Sequence, residues 1–205
     1  MKTTVPYPAT IEIDYPDHLL NRLTTFLRPI VIVPVAIVLA LVSGPTLRLG
    51  WANIFLGAGG LLFLPTALAL LFRHKYPHWW FDWNLALTRF SMRVSSYLTL
   101  LRDEYPAFEE EQAVHLNVEY PDVEKLSPWM PLVKWFLAIP HYIILWALSI
   151  AAVVCITIAW FAILFTGKYP RSLFKFVVGV MRWSLRVSAY AFLLTTDEYP
   201  PFALE

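Results

Sequence analysis

His74, His78 and Asp82 stand four residues apart. On one helix that spacing would lay all three along a single face, as metal ligands often are. Pro77 falls among them and works against helical geometry at Lys75 and Tyr76, so no metal site is assigned. His141 lies deep in an apolar run beside Pro140, where an ionisable group is a functional candidate by default. The competing role is structural, a hydrogen bond to backbone freed by Pro140. Lys134, one to two turns earlier, could neighbour His141 or snorkel to the surface. Haem ligation would want a second buried histidine, and the first apolar block offers none.

Two acidic motifs follow basic segments: Asp103-Glu104-Tyr105 and Asp197-Glu198-Tyr199, each with a proline next. Paired carboxylates can do acid–base work. Here the preferred reading is an ion-pair and turn motif, in which the carboxylates meet the arginines and the Tyr-Pro step fixes an extended turn. Arg171, Lys175, Arg182 and Arg186 fall within about 60° on a helical wheel. Arg89 and Arg93 recur likewise in an earlier segment. These cations, with Ser188, could hold the phosphate of an anionic lipid head group. There is no GxGxxG, P-loop or nucleophile elbow. No catalytic residue and no cofactor is assigned.

The elements that must position these residues are apolar. Of 205 residues, 58% are hydrophobic and 15% charged, with mean hydropathy +0.56. Soluble domains carry about 25% charged residues. The apolar residues gather in two blocks, 26–72 and 129–165, nearly free of charge. This is the composition of an integral membrane protein. The net charge of +1 predicts no acidic partner, and the basic residues lie on helices whose other faces suit lipid, so nucleic acid is not expected. The single cysteine, Cys155, sits in an apolar block and reads as a packing residue.

Residues 11–17 alternate apolar and acidic up to Pro16, and residues 116–122 repeat the pattern up to Pro121. These are short strand patterns. They can pair as a small ribbon at the membrane surface or serve as two extended linkers. Residues 26–72 predict a transmembrane hairpin, kinked at Pro34 and turning near Ser43-Gly44-Pro45. An amphipathic helix is expected over 79–101, after an aromatic belt of Trp79, Trp80, Phe81 and Trp83. The block 129–165 has no Gly or Pro near its middle to mark a turn. A second hairpin bending near Ser149 is favoured because the two halves look alike, and one long tilted helix is the alternative. A second amphipathic helix is expected over 171–194.

The halves share motifs in order. Tyr76-Pro77, Arg89 and Arg93 correspond to Tyr169-Pro170, Arg182 and Arg186 at a constant offset, and the two Asp-Glu-Tyr-Pro motifs follow. The sequence therefore predicts an all-α membrane protein of two tandem repeats, 1–108 and 109–205. Each is a hairpin followed by an interfacial amphipathic helix, with a strand-like segment in front. If both hairpins form, fifteen of the sixteen Lys and Arg lie on one side, with only Arg48 across. By the positive-inside rule that side is cytoplasmic, with both termini there. A single span at 129–165 would put Lys168, Arg171, Lys175, Arg182 and Arg186 outside.

The stretch Leu-Phe-Thr-Gly-Lys-Tyr-Pro at 164–170, the Arg-Val-Ser-Ala-Tyr run at 186–190 and Asp-Glu-Tyr-Pro-Pro-Phe at 197–202 resemble an uncharacterised bacterial membrane-protein family, known as a domain of unknown function. The resemblance covers the second half well and the first half as a diverged copy. It implies a small protein of the prokaryotic inner membrane, which the two hairpins would make multi-pass, and supplies no activity. The expectation is a non-enzymatic accessory or scaffold subunit, or a membrane-surface organiser. Its partners would be membrane lipids and a second protein or another copy of itself. A lipid-handling or small-molecule transport protein is the alternative, and a membrane enzyme the next.

Overall fold

A computed structural model describes residues 7–42, 63–108 and 112–204. The turn expected near Ser43-Gly44-Pro45 lies outside these residues. The two strand patterns form strands: β1 (Ala9–Ile13) and β2 (Val114–Val118) pair antiparallel, with Ile11 opposite Leu116. Both bury alternate residues, which is what a period-2 pattern dictates for a ribbon with one face packed. The ribbon is the one departure from an all-helical fold among the described residues.

Helix α1 (Arg22–Val31) starts at Asn21, whose side chain accepts from the amides of Leu23 and Thr24. It breaks at Ile32, and α2 (Val33–Val42) leaves at 41°. Pro34 supplies no amide there, so the kink falls where the sequence places it. Helix α3 (Phe63–Arg73) leads to a non-helical Tyr76-Pro77 step and then α4 (His78–Leu98). The expected helix 79–101 is thus found, shorter by its last turn.

The second half corrects one expectation. Helix α5 (Met130–Leu137) ends at Ala138, and α6 (Ile139–Thr166) then runs unbroken through Ser149. The favoured bend near Ser149 is absent, and the chain breaks instead just before Pro140. The cause is local. Residues 141–166 hold no Gly or Pro, and Ser149 donates its hydroxyl to Trp146 O at 2.7 Å, satisfying it within the helix. A helix stops where a residue adopts the left-handed region, and Gly167 does so at φ 72°. Helix α7 (Arg171–Ser188) follows and widens into a π-helical turn, Ala189–Leu193.

Among the described residues two helices, α6 and the stretch Arg171–Leu193, are long and apolar enough to cross a membrane, and the bent pair α1–α2 makes a third if it is one span. They differ in surroundings. Of its most apolar stretch, α6 has 22% buried inside the protein, against 78% for Arg171–Leu193. So α6 faces outward along most of its surface, while α7 is an internal helix. A narrow stripe of α6, from His141 and Leu145 through Ala152 and Ala159 to Ile163, packs inward. Cys155 packs against the same core, as a small apolar residue would.

The C-terminal tail crosses α7 at Gly179. A Cβ there would lie 2.9 Å from both Cβ and O of Leu204. Gly179→Val is expected to lift the tail, read as faster proteolytic trimming of the C-terminus while helical content is kept. Unchanged trimming would show that the tail is not seated on this glycine.

Candidate functional site

The charged residues inside the apolar blocks find partners in the acidic motifs. Arg28 is 1% exposed. Its Nη1 donates to Tyr97 O at 2.8 Å and Arg102 O at 3.0 Å, its Nη2 pairs with Asp103, and it lies 4.3 Å from the Tyr97 ring centroid. Asp103 also accepts from the Asn21 amide at 2.8 Å. Lys134, likewise 1% exposed, repeats this set. Its Nζ donates to Thr196 O at 2.7 Å, faces Asp197 Oδ1 at 2.7 Å, and sits 5.2 Å from the Tyr190 ring, while Asp197 Oδ2 accepts from the Ser127 amide at 2.8 Å.

This corrects the expected pairing. Asp103 and Asp197 meet the cations that begin the apolar blocks, not the arginines of α4 and α7. The signal was in the sequence. Each block carries one early cation, and a charge at depth must be paired. Glu104 pairs with Arg102 and accepts from the Ala113 amide at 3.4 Å. Burial pushes its carboxyl up, but Arg102 and that amide outweigh it and hold the group below its ordinary range. Glu198 is exposed, and its backbone oxygen accepts from Tyr7. Burial, then Glu198, raises the Tyr7 hydroxyl, which stays a donor. Tyr105 and Tyr199 are ring neighbours of Tyr97 and Tyr190, and the Tyr199 hydroxyl donates to Leu137 O.

Four of the head-group candidates, Arg89, Arg93, Arg182 and Arg186, have backbone partners. Arg89 Nε donates to Leu116 O at 3.2 Å and Arg182 Nε to Ile11 O at 3.4 Å, so each of the two helices holds one strand of the ribbon. Arg93 donates to Ala107 O and Phe108 O, and Arg186 to Ala203 O. Burial, and then nearby Arg89, lower the Arg93 guanidinium from its ordinary value. Ser188 is buried in the last turn of α7. Arg171 and Lys175 remain exposed, with Arg171 5.1 Å from the Tyr15 ring. Arg171 and Lys168 border a cleft of about 550 Å³ together with Tyr15, Asp17, His18 and Tyr169.

His141 is fully buried. Its Nδ1 accepts from the Trp183 indole at 3.0 Å, which leaves the ring proton on Nε2, a nitrogen with no partner. Its ring stacks on Phe202 at 4.1 Å and lies 4.8 Å from Tyr199. The partner is thus an indole, not the backbone near Pro140, and Lys134 is occupied elsewhere. Nothing in the sequence singles out Trp183. His74 and His78 do not act together either: His74 takes φ 48° between helices, and His78 stacks on Tyr120 at 4.1 Å. Among the described residues no group of three His, Cys, Asp or Glu could hold a metal ion.

Taken together, exposed apolar helices and internally satisfied charges define a mostly helical membrane protein. Residues 130–203, just over a third of the chain, match a family described as a domain of unknown function (DUF4389). The matched stretch runs from the start of α5 to the tail, and so contains Lys134, His141, Arg182, Arg186 and Asp197. No curated protein and no solved structure matches the chain.

Proposed function

We propose that this is a non-enzymatic membrane protein, an accessory or scaffold subunit or an organiser of the membrane surface, built from a duplicated unit. The observation that carries the reading is the fate of the charged motifs. Several of them occur in matched pairs that do the same structural task. Arg28–Asp103 and Lys134–Asp197 pin the start of an apolar block to the acidic motif of its own half. Arg89 and Arg182 each hold the strand of the other half. The Tyr120 hydroxyl donates to Tyr76 O, and that of Tyr15 to Tyr169 O, again between halves. Two copies related by a pseudo-twofold axis give this reciprocity without further assumption.

The cytoplasmic face of a bacterial inner membrane fits the charge pattern. Because β1 and β2 pair, the polar segments of both halves share one surface, and this no longer requires a bend near Ser149. Both termini belong on that side. The outward apolar surface is then available to lipid and to a protein partner or a second copy of the chain. Purification in nanodiscs with native lipid, followed by mass spectrometry, tests this. A stoichiometric protein partner, or a defined oligomer, is the expected result. A lone monomer in every lipid composition would contradict it.

The cleft at Lys168 and Arg171 favours a second reading, a lipid-handling or small-molecule transport protein that grips anionic head groups. The same mass spectra would then show one enriched anionic lipid and no protein. Substituting Lys168 and Arg171 with Gln would release it.

A further inference from the structure

We infer that α6, though long enough to cross the bilayer, lies in the plane of the membrane within one leaflet, its outer face against acyl chains. The inference rests on membrane placement alone and holds for a scaffold or a lipid handler. It starts from the ribbon. The outer face of β1 and β2 carries Thr10, Glu12, His115 and Asn117, all exposed, with Asp14 beside His115 at 3.5 Å. Hydrocarbon does not tolerate exposed charge, so the outer face of the ribbon stands in water.

The ribbon rests on the middles of two helices. Arg89 is at the centre of α4 and Arg182 near the centre of α7, and each holds a strand. If α7 crossed the membrane, the ribbon would sit at mid-bilayer. Hence α4 and α7 lie flat beneath it, at the interface.

Helix α6 must follow α7. His141 near its start is hydrogen-bonded to Trp183. From His141 to Thr166 α6 rises about 38 Å, and from Trp183 back to Arg171 α7 rises about 18 Å. Residues 167–170 can bridge at most about 18 Å between the two ends. The loop closes only if α7 runs back alongside α6, nearly antiparallel. Burial of Tyr169 in one cluster with Ala152 and Ala159 agrees, since the link folds back along α6. A flat α7 therefore makes α6 flat.

Two further features fit. At about 42 Å the 28 residues of α6 overshoot a hydrocarbon core of about 30 Å, a length that an in-plane helix accommodates without mismatch. And α6 has no charged residue, with Ile143, Trp146, Val154, Phe161 and Phe165 exposed from one end to the other. A wedge of this kind enlarges one leaflet only.

Depth measurement decides the matter. In a Cys155→Ala background, single cysteines replace Ile143, Val154 and Phe165, carry a fluorophore, and are reconstituted in liposomes with lipids brominated at defined depths. The expected result is one common depth for all three labels. A profile deepest at Val154 and shallow at both ends would overturn the inference. Glu124→Cys and Ser172→Cys, both at exposed sites flanking α6, check it independently. A membrane-impermeant maleimide is expected to label both from the same side of sealed vesicles, and labelling from opposite sides would also overturn it.

Discussion

Asp197→Ala is expected to destabilise the protein by about 3–5 kcal/mol, the usual cost of stranding a buried charge. The carboxylate is the only counter-ion of Lys134 among the described residues, and Lys134 is 1% exposed. With Asp197 gone, the ammonium keeps Thr196 O and the Tyr190 ring but no counter-ion among the described residues. The double variant Lys134→Met, Asp197→Leu is expected to recover much of the loss, because both desolvation costs disappear together. Thermal unfolding in a fixed detergent, followed by intrinsic fluorescence, reads the difference. A single variant as stable as the double would mean that the pair is solvated and contributes little. Arg28 and Asp103 should behave alike in the first half, with Arg28 better supported by its two carbonyl acceptors.

Trp183→Phe is expected to cost about 1–3 kcal/mol, since it leaves His141 Nδ1 buried without a donor, beside an Nε2–H that already lacks an acceptor. The first half suggests how to repair the loss. There Val35 and Phe90 pack together in an apolar cluster with Ile32, Val94 and Tyr97. Phe90 corresponds to Trp183 by the offset of the shared motifs. The same alignment that sets Arg28 against Lys134 sets Val35 against His141. The double variant His141→Val, Trp183→Phe is therefore expected to be more stable than Trp183→Phe alone. If the double is the less stable of the two, His141 contributes by packing and the correspondence fails at this site.

The local signals in the sequence were good guides. Alternation found both strands, Pro34 located the kink in the first block, and the Tyr-Pro steps ended or preceded helices where proline geometry requires. What depended on distant partners was less legible. Arg28 and Lys134 stand out as lone charges, but matching them to Asp103 and Asp197, ahead of the arginines of α4 and α7, needs the chain to fold back on itself. Arg89 and Arg182 look like head-group ligands on a helical wheel, because a wheel does not show a strand carbonyl above the helix. The bend near Ser149 came from likeness between the halves, whereas the residues around Ser149 contain nothing that breaks a helix. There the local rule was the better one.

The central claim is that the two halves are clamped together through β1 and β2. Thr10 and Asn117 face each other in the ribbon and are both exposed. Directly opposed residues of antiparallel strands have Cα atoms about 4.5–5.5 Å apart, within reach of a disulfide. The measurement is oxidation of Thr10→Cys, Asn117→Cys in a Cys155→Ala background, in native membranes, read by mobility and peptide mapping. The account predicts a near-complete intramolecular bond at Thr10–Asn117 and little at the register-shifted pair Thr10→Cys, Glu119→Cys. Absence of the first bond, or equal yield of both, would contradict it.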